Sequence, residues 1–335
     1  MILVTGGTGL VGAHLLLKLL KEGFAVRAIH RKNSDLDRVK KVFAYYGKSV
    51  ANLYDKIEWA EADLNDIPAL ETAFLDIDYV YHAAALISFD PSDYNKLHKI
   101  NTEGTANIVN LCILNRIRKL CYVSTIGTIG KSLHGKKADE ETAWTPQTAN
   151  VYALTKYDAE MEVWRSSQEG LDVVIVNPGV IIGPGFWDSG SGALFSVARK
   201  EHRFYPPGGT GFISVNDVIK MMFELMHSDI KNERYIAVAE NWTYLEILTR
   251  ITNKMGLKPP KRKLKFWQLE IGRWFDWLGN LLFKRGRRIT KNSVKSLKQR
   301  QIFDNHKISS DLGFEFEPLN PILQFSCEKF LEENP

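Results

Sequence analysis

Met1-Ile-Leu-Val-Thr5-Gly6-Gly7-Thr8-Gly9-Leu10-Val11-Gly12-Ala13-His-Leu-Leu-Leu-Lys-Leu-Leu-Lys-Glu22 opens the chain and decides how the rest is read. Its first four residues are a short unbroken apolar run, as expected of a parallel strand buried on both faces. Residues 13–22 read as a helix stopped by Gly23. Glycines at 7, 9 and 12 fit a tight turn, a close backbone approach to pyrophosphate and close helix–strand packing, and Gly6 adds further freedom. The helix N-terminus supplies an anion site. A dinucleotide held by Gly6, Thr8, Gly9, Leu10, Val11 and Gly12 is therefore expected.

The second strand, residues 25–30, ends in His30-Arg31-Lys32-Asn33-Ser34, and the first acid is Asp35. NAD-binding folds usually carry an acid there to accept from the ribose hydroxyls. Arg31, helped by Lys32 or Ser34, suits a 2′-phosphate instead, so NADP is expected in preference to NAD. A helix from Asp35 to about Tyr46 is expected with Ser34 as its cap. Further apolar strands follow at 57–60, leading into Asp63-Leu64, and at 78–82, leading into Ala83-Ala84-Ala85, where backbone can pass close to a cofactor. His82, at a buried strand end, reads as a structural histidine. The strand Lys119–Val123 ends in Ser124-Thr125, and one at 171–176 ends in Asn177-Pro178-Gly179. Short apolar strands alternating with helices predict an α/β fold, a doubly wound parallel sheet of Rossmann type with its ligand at the strands' carboxyl ends.

Asn150-Val-Tyr152-Ala-Leu-Thr-Lys156 opens a later helix that reads on to about Ser167. Tyr152 and Lys156, four apart, share a helix face. An ammonium beside a phenol favours the phenolate, which brings a group of reference pKa ~10 towards proton exchange near neutrality. The pair is a candidate general acid/base.

Taken together these features resemble the extended short-chain dehydrogenase/reductases, the NAD(P)-dependent epimerase/dehydratase superfamily. The resemblance rests on Thr5-Gly6-x-x-Gly9-x-x-Gly12, Asp63-Leu64, His82-Ala-Ala-Ala85, Asn101 with Gly104-Thr105, Ser124-Thr125, Tyr152-x-x-x-Lys156, Asn177-Pro178 and Phe212-x-x-Val-x-Asp217-Val218. It covers residues 1–220. Arg27, Arg31, Asn177-Pro-Gly and Gly183-Pro-Gly look most like the dihydroflavonol-reductase and 3β-hydroxysteroid-dehydrogenase branch. The resemblance implies that Tyr152 is the acid/base and that Lys156 holds the nicotinamide ribose and lowers the tyrosine pKa. It implies that Thr125, where the family usually has Ser, orients the substrate oxygen, with Ser124 as its neighbour in reserve. Asn101 would support the active-site hydrogen bonds, and Asp63 would meet the adenine. Leu64, Ala83, Ala84, Ala85, Asn177, Pro178 and Gly179 would complete the cofactor's surroundings. A homodimer through the Asn101 and Tyr152 helices is a further implication.

At 335 residues, 44% hydrophobic and 25% charged, the chain has the composition of a globular protein with a large core. We expect a dinucleotide-binding region over 1–178 and a smaller substrate-binding α/β part over 179–335, from which strands or helices return to the first. Helices are expected at 218–227 and Tyr244–Lys254, with a strand at 235–239 between them. Cys112, Cys121 and Cys327 lack metal-ligand and redox spacing, and no metal site is expected. With no signal segment and no long apolar run, a cytoplasmic protein is expected.

Net charge is +5, unevenly spread: residues 257–300 hold 14 Lys/Arg against Glu270 and Asp276, leaving 30 basic residues against 37 acids elsewhere. In that segment Trp267, Ile271, Trp274, Leu278 and Leu281 fall on one helical stripe edged by Trp277 and Leu282, with basic runs at 261–265 and 284–288. A helix over the substrate cleft is favoured there above a peripheral membrane contact. No nucleic-acid module is present.

The expected reaction is hydride transfer between the nicotinamide and a ketone or aldehyde, or the matching alcohol. The runner-up is a nucleotide-sugar epimerase, whose diphosphate Arg199, Arg203 or Arg234 would grip; Ile126-Gly127 after Thr125 argue against a dehydratase. A non-catalytic nucleotide-bound scaffold or redox sensor is the third reading.

Overall fold

The first strand sends alternate side chains to opposite sides of a sheet: Ile2 and Val4 join one apolar core and Leu3 the other, none more than 3% exposed. Such a strand needs cover on both faces, and the fold supplies it. The computed structural model describes residues 1–131, 136–265, 267–268, 270–271, 294 and 297–335. Its strands are β1 (Ile2–Thr5), β2 (Val26–His30), β3 (Glu58–Glu61), β4 (Tyr79–His82), β5 (Lys119–Val123), β6 (Asp172–Pro178), β7 (Val180–Ile182), β8 (Phe204–Tyr205), β9 (Gly209–Ser214), β10 (Glu233–Ala237), β11 (Glu240–Thr243) and β12 (Arg262–Lys263).

Seven of these form one sheet in the order β3-β2-β1-β4-β5-β6-β10, with every pairing parallel. Helices Leu10–Lys21 and Val215–His227 bury Leu15, Leu16, Val218 and Met222 against one face. Helices Ile67–Ala73, Gly104–Leu114 and Val151–Gln168 bury Leu70, Ile108, Val109 and Val163 against the other. The chain builds β1, β2 and β3 outward, then returns to lay β4 on the other side of β1. That reversal opens a crevice at the carboxyl ends of β1 and β4, where such sheets bind ligands. This is a Rossmann-type α/β fold with a smaller C-terminal α/β region. In that region β9 pairs parallel with β7 and antiparallel with β11, while β12 pairs with β8.

Two local features differ from the sequence reading. The second helix, Leu36–Ala44, is capped by Asp35, whose side chain accepts from Arg38 N, and not by Ser34. Where one long helix from about Asp93 is expected, the chain makes one turn of α-helix, Tyr94–Leu97, then a π-turn, His98–Glu103, then the helix Gly104–Leu114. A π-turn inserts an extra residue and re-aims its side chains, a local distortion that hydrophobic periodicity does not report. In the basic Trp-rich segment, residues 274–282 and the run 284–288 lie outside the described residues. Trp267 and Ile271, which are described, are 57% and 46% exposed. Among the described residues no helix is long and apolar enough to cross a membrane.

Candidate active site

The turn after β1 is built to hold an anion. Gly6 has φ +71°, and a Cβ there would lie 2.6 Å from Ala84 N, so both the backbone angle and the contact with the strand-end alanines require glycine. Gly9 N closes the turn on Gly6 O at 3.0 Å. A Cβ on Gly12 would sit 2.1 Å from Gly6 O, whereas one on Gly9 would meet only Gly6 O, at 3.5 Å. Packing within the chain therefore explains Gly6 and Gly12 but not Gly9. What Gly9 leaves open is the space before the N-terminus of helix Leu10–Lys21, which has no side-chain cap and no acid in its first turn. Backbone N–H groups and an uncompensated helix dipole favour a phosphate there. A second mark of a missing partner is Asn177 Oδ1, buried at the end of β6 with no hydrogen-bond donor among the described residues. These features fit a dinucleotide laid from the glycine turn across the crevice.

The other carboxyl ends bring Thr125, Tyr152, Lys156 and Asn101 to the same side of the sheet. Helix Val151–Gln168 starts at Asn150, whose Oδ1 accepts from Ala153 N at 2.8 Å. Tyr152, in its first turn, is half-buried and meets the exposed Phe89 edge-on at 5.9 Å between centroids. Lys156 is 1% exposed and donates to Tyr122 Oη at 2.6 Å and to the Val123 carbonyl at 2.8 Å. Burial pulls its pKa down to about 7, against the opposing pull of the Glu160 carboxylate. Burial raises the Tyr152 pKa well above its ordinary value. The depressed phenol expected from the Tyr–Lys spacing is thus absent from the chain alone, because the ammonium is turned to Tyr122.

Asn101 lies in the π-turn, and its amide is fully engaged: Oδ1 accepts from Leu86 N at 2.7 Å, and Nδ2 donates to Leu86 O at 3.0 Å and Thr155 Oγ1 at 3.1 Å. It ties the loop after β4 to the Tyr152 helix. Thr125 Oγ1 accepts from Gly127 N at 3.1 Å. Ser124, its neighbour in reserve, is only 4% exposed and donates to Glu160 Oε2 at 2.5 Å, away from the crevice. That leaves Thr125 as the strand-end hydroxyl beside the cleft.

Two buried groups, one more deeply connected than its sequence context suggests and one without a sequence expectation, hold this arrangement. His82 bridges Thr5 Oγ1 (Nδ1, 2.6 Å) and Thr105 Oγ1 (Nε2, 2.9 Å), and burial lowers its pKa to about 3, so it is neutral. The Thr105 hydroxyl donates to Asn101 O at 2.5 Å, so the imidazole proton belongs on Nε2. Histidine thereby couples the glycine turn to the π-turn, in keeping with a structural role. Glu160, fully buried, accepts at Oε2 from Ser124, Thr128 (2.8 Å) and Asn177 (3.0 Å), and at Oε1 from Arg234 (3.2 Å). Its clue was the repeated spacing of four in Tyr152, Lys156 and Glu160, which marks one continuous helix face.

Other expected cofactor contacts divide. Thr8, Leu10 and Val11 border the open end of the glycine turn, and Ala83, Ala84 and Ala85 follow β4 beside it. Asp63 is exposed after β3, its Oδ1 accepting from Asn65 N, while the next residue, Leu64, is buried. Pro178 ends β6. Gly179 is required by packing: a Cβ there would lie 2.4 Å from Gly211 O.

The description that matches this chain, over residues 2–237, is the NAD dependent epimerase/dehydratase family. The chain belongs to that family. It is 30% identical, over 92% of this chain and 88% of the other, to a protein named as a putative dihydroflavonol 4-reductase in Synechocystis sp.. The crystal structure of gox2253 is 26% identical with TM-score 0.83, covering 100% of this chain and 98% of that one. UDP-glucuronic acid 4-epimerase from Bacillus cereus, solved with NAD, has TM-score 0.76 at 18% identity, covering 100% and 99%. The protein is an NAD(P)-binding Rossmann enzyme of this family acting on a small molecule. The relatives include both reductases and epimerases, so no one branch is singled out.

The expectation of NADP is corrected. Several solved structures of this fold, among them the UDP-glucose 4-epimerase of Thermus thermophilus (TM-score 0.74, 20% identity, covering 98% of each chain), carry NAD. The physical reason lies after β2: Arg31, Lys32 and Asn33 are exposed, and the Ser34 hydroxyl closes the turn by accepting from Arg31 N at 3.1 Å. A 2′-phosphate needs cations and hydroxyls held towards it, and this is a solvated basic turn.

Proposed function

We propose that this enzyme transfers a hydride, with NAD, to or from a carbon bearing a carbonyl or hydroxyl oxygen, using Tyr152 as the acid/base. The observation that carries the reading is the placement of Tyr152, Lys156 and Thr125 at the carboxyl ends next to the open cradle of Gly9. When bound, NAD supplies the hydride chemistry. Gly6 to Gly12 and the helix N-terminus would hold its pyrophosphate, and Asn177 Oδ1 would accept from a donor on its nicotinamide end. Thr125 orients the substrate oxygen. Tyr152 gives or takes the proton on that oxygen, and Lys156 supports the charge that develops on the phenol. Residues 1–178 serve the dinucleotide and 179–335 the substrate.

Two fates of the hydride fit this site. Return to the same substrate carbon, as in a nucleotide-sugar epimerase, is supported by the NAD found in solved family members. Net reduction or oxidation is supported by the curated reductase relatives and by two arginines. Arg199 donates to the carbonyls of Asn334 and Pro335, and Arg234 to Glu160 and the Glu140 carbonyl, so neither is placed to grip a diphosphate, which leaves the exposed Arg203 of the three expected.

One experiment separates the fates. Bound dinucleotide is released from the purified protein and identified, and NADH oxidation is followed over an aldehyde and ketone panel beside conversion of UDP-sugars. Interconversion of sugars with no net NADH change selects the epimerase; stoichiometric NADH loss selects the reductase. In either assay Tyr152→Phe should lower turnover about 10²- to 10⁴-fold. Unchanged turnover would refute the mechanism.

A further inference from the structure

Lys156 does not rest against Tyr152. Its ammonium is held by a second phenol, Tyr122 of β5, with the Val123 carbonyl beside it. Tyr122 is fully buried, stacks on His82 at 5.4 Å between centroids and 28° between planes, and carries the Lys156 nitrogen 4.2 Å from its ring centroid.

We propose that Tyr122 is a positioning residue for the acid/base: its hydroxyl fixes the Lys156 ammonium and keeps it protonated. The proposal rests on the role given to Lys156 above. A buried amine stays charged only if its N–H groups find acceptors, and a hydrogen bond to a charged group is among the stronger ones. The titratable groups around it argue the same way. His82 on β4 is neutral and offers no counter-charge, Glu160 lies one turn on along the same helix, and Tyr152 and Tyr122 are both held un-ionised by burial. Tyr122 is the side chain that accepts directly from the nitrogen.

Tyr122→Phe removes one oxygen and leaves the ring stack. Protein labelled with 13C at lysine Cε, with the Lys156 signal assigned by its loss in Lys156→Arg, reports the lysine titration without NAD or substrate. Tyr122→Phe should lower the Lys156 midpoint by about one pH unit or more, the loss expected for one hydrogen bond to a charge. NADH affinity, followed by fluorescence across the same pH range, should weaken in parallel. The control is Tyr81→Phe: Tyr81 is also buried in the sheet, on β4, but its hydroxyl has no partner among the described residues, so the midpoint should stay where it is. An unmoved midpoint in Tyr122→Phe overturns the proposal, and so does an equal shift in both variants. Failure of the wild-type protein to bind NADH would count against the cofactor reading alone, since the lysine titration is read without it.

Discussion

Gly9→Ala and Gly12→Ala, three residues apart in one turn, should fail in different ways. At Gly9 the backbone, φ −111° and ψ 175°, suits any residue, and the new methyl would meet only Gly6 O at an ordinary 3.5 Å. Alanine there loses unfolded-state entropy but is a poorer N-cap than glycine, so folding stability should change by less than about 1 kcal/mol. The methyl does enter the space before the helix N-terminus. Losing one charge-assisted bond to a phosphate oxygen costs about 1.5–3 kcal/mol, roughly a ten- to hundredfold weaker Kd for NADH. At Gly12 the methyl would lie 2.1 Å from Gly6 O, well inside contact distance, and no rotamer relieves a clash between Cβ and backbone. The turn must open, at about 1–3 kcal/mol or more, and binding goes with it. Fluorescence titration with NADH and urea unfolding of both variants read the two quantities separately. If Gly9→Ala bound NADH like the wild type, or lost as much stability as Gly12→Ala, the cradle would be wrongly assigned.

Glu160→Ala should cost about 3–5 kcal/mol in urea unfolding, because it removes the buried acceptor shared by Ser124, Thr128 and Asn177 and the carboxylate partner of the half-buried Arg234. Arg165→Ala, which breaks pairs with Glu162 and Glu169 on the helix surface, should cost under about 1 kcal/mol. Equal losses would deny Glu160 its place as the hub. Lys156 loses its proton at about pH 7 in the fold but only at about 10.4 in the unfolded chain, so between those values the unfolded state binds more protons. Its burial penalty is fully present below pH 7 and fades as pH rises. Lys156→Met should therefore stabilise the protein most at and below neutrality, by an amount on the order of 4 kcal/mol, with the difference shrinking towards pH 10. A difference independent of pH would show that the amine is not held against its burial.

The sequence by itself determined the architecture. The unbroken apolar strands, the glycine turn before a helix and the Tyr152–Lys156 spacing are local patterns, each set by a few adjacent residues, and they placed the parallel sheet and its carboxyl-end crevice. The same local view went astray where the deciding partner is distant. Arg31 looked like a phosphate ligand because its neighbours are basic; in the fold the turn it sits on is solvated and closed by Ser34. Only the tertiary structure decided where the Lys156 proton goes and what holds Ser124 and Thr128 on either side of Thr125. The Lys156 nitrogen turns to a phenol 34 residues back, and Glu160 gathers donors 36, 32, 17 and 74 residues away. Helical spacing specifies which face a side chain leaves from; which buried donor or acceptor it then meets depends on strands brought alongside by the sheet.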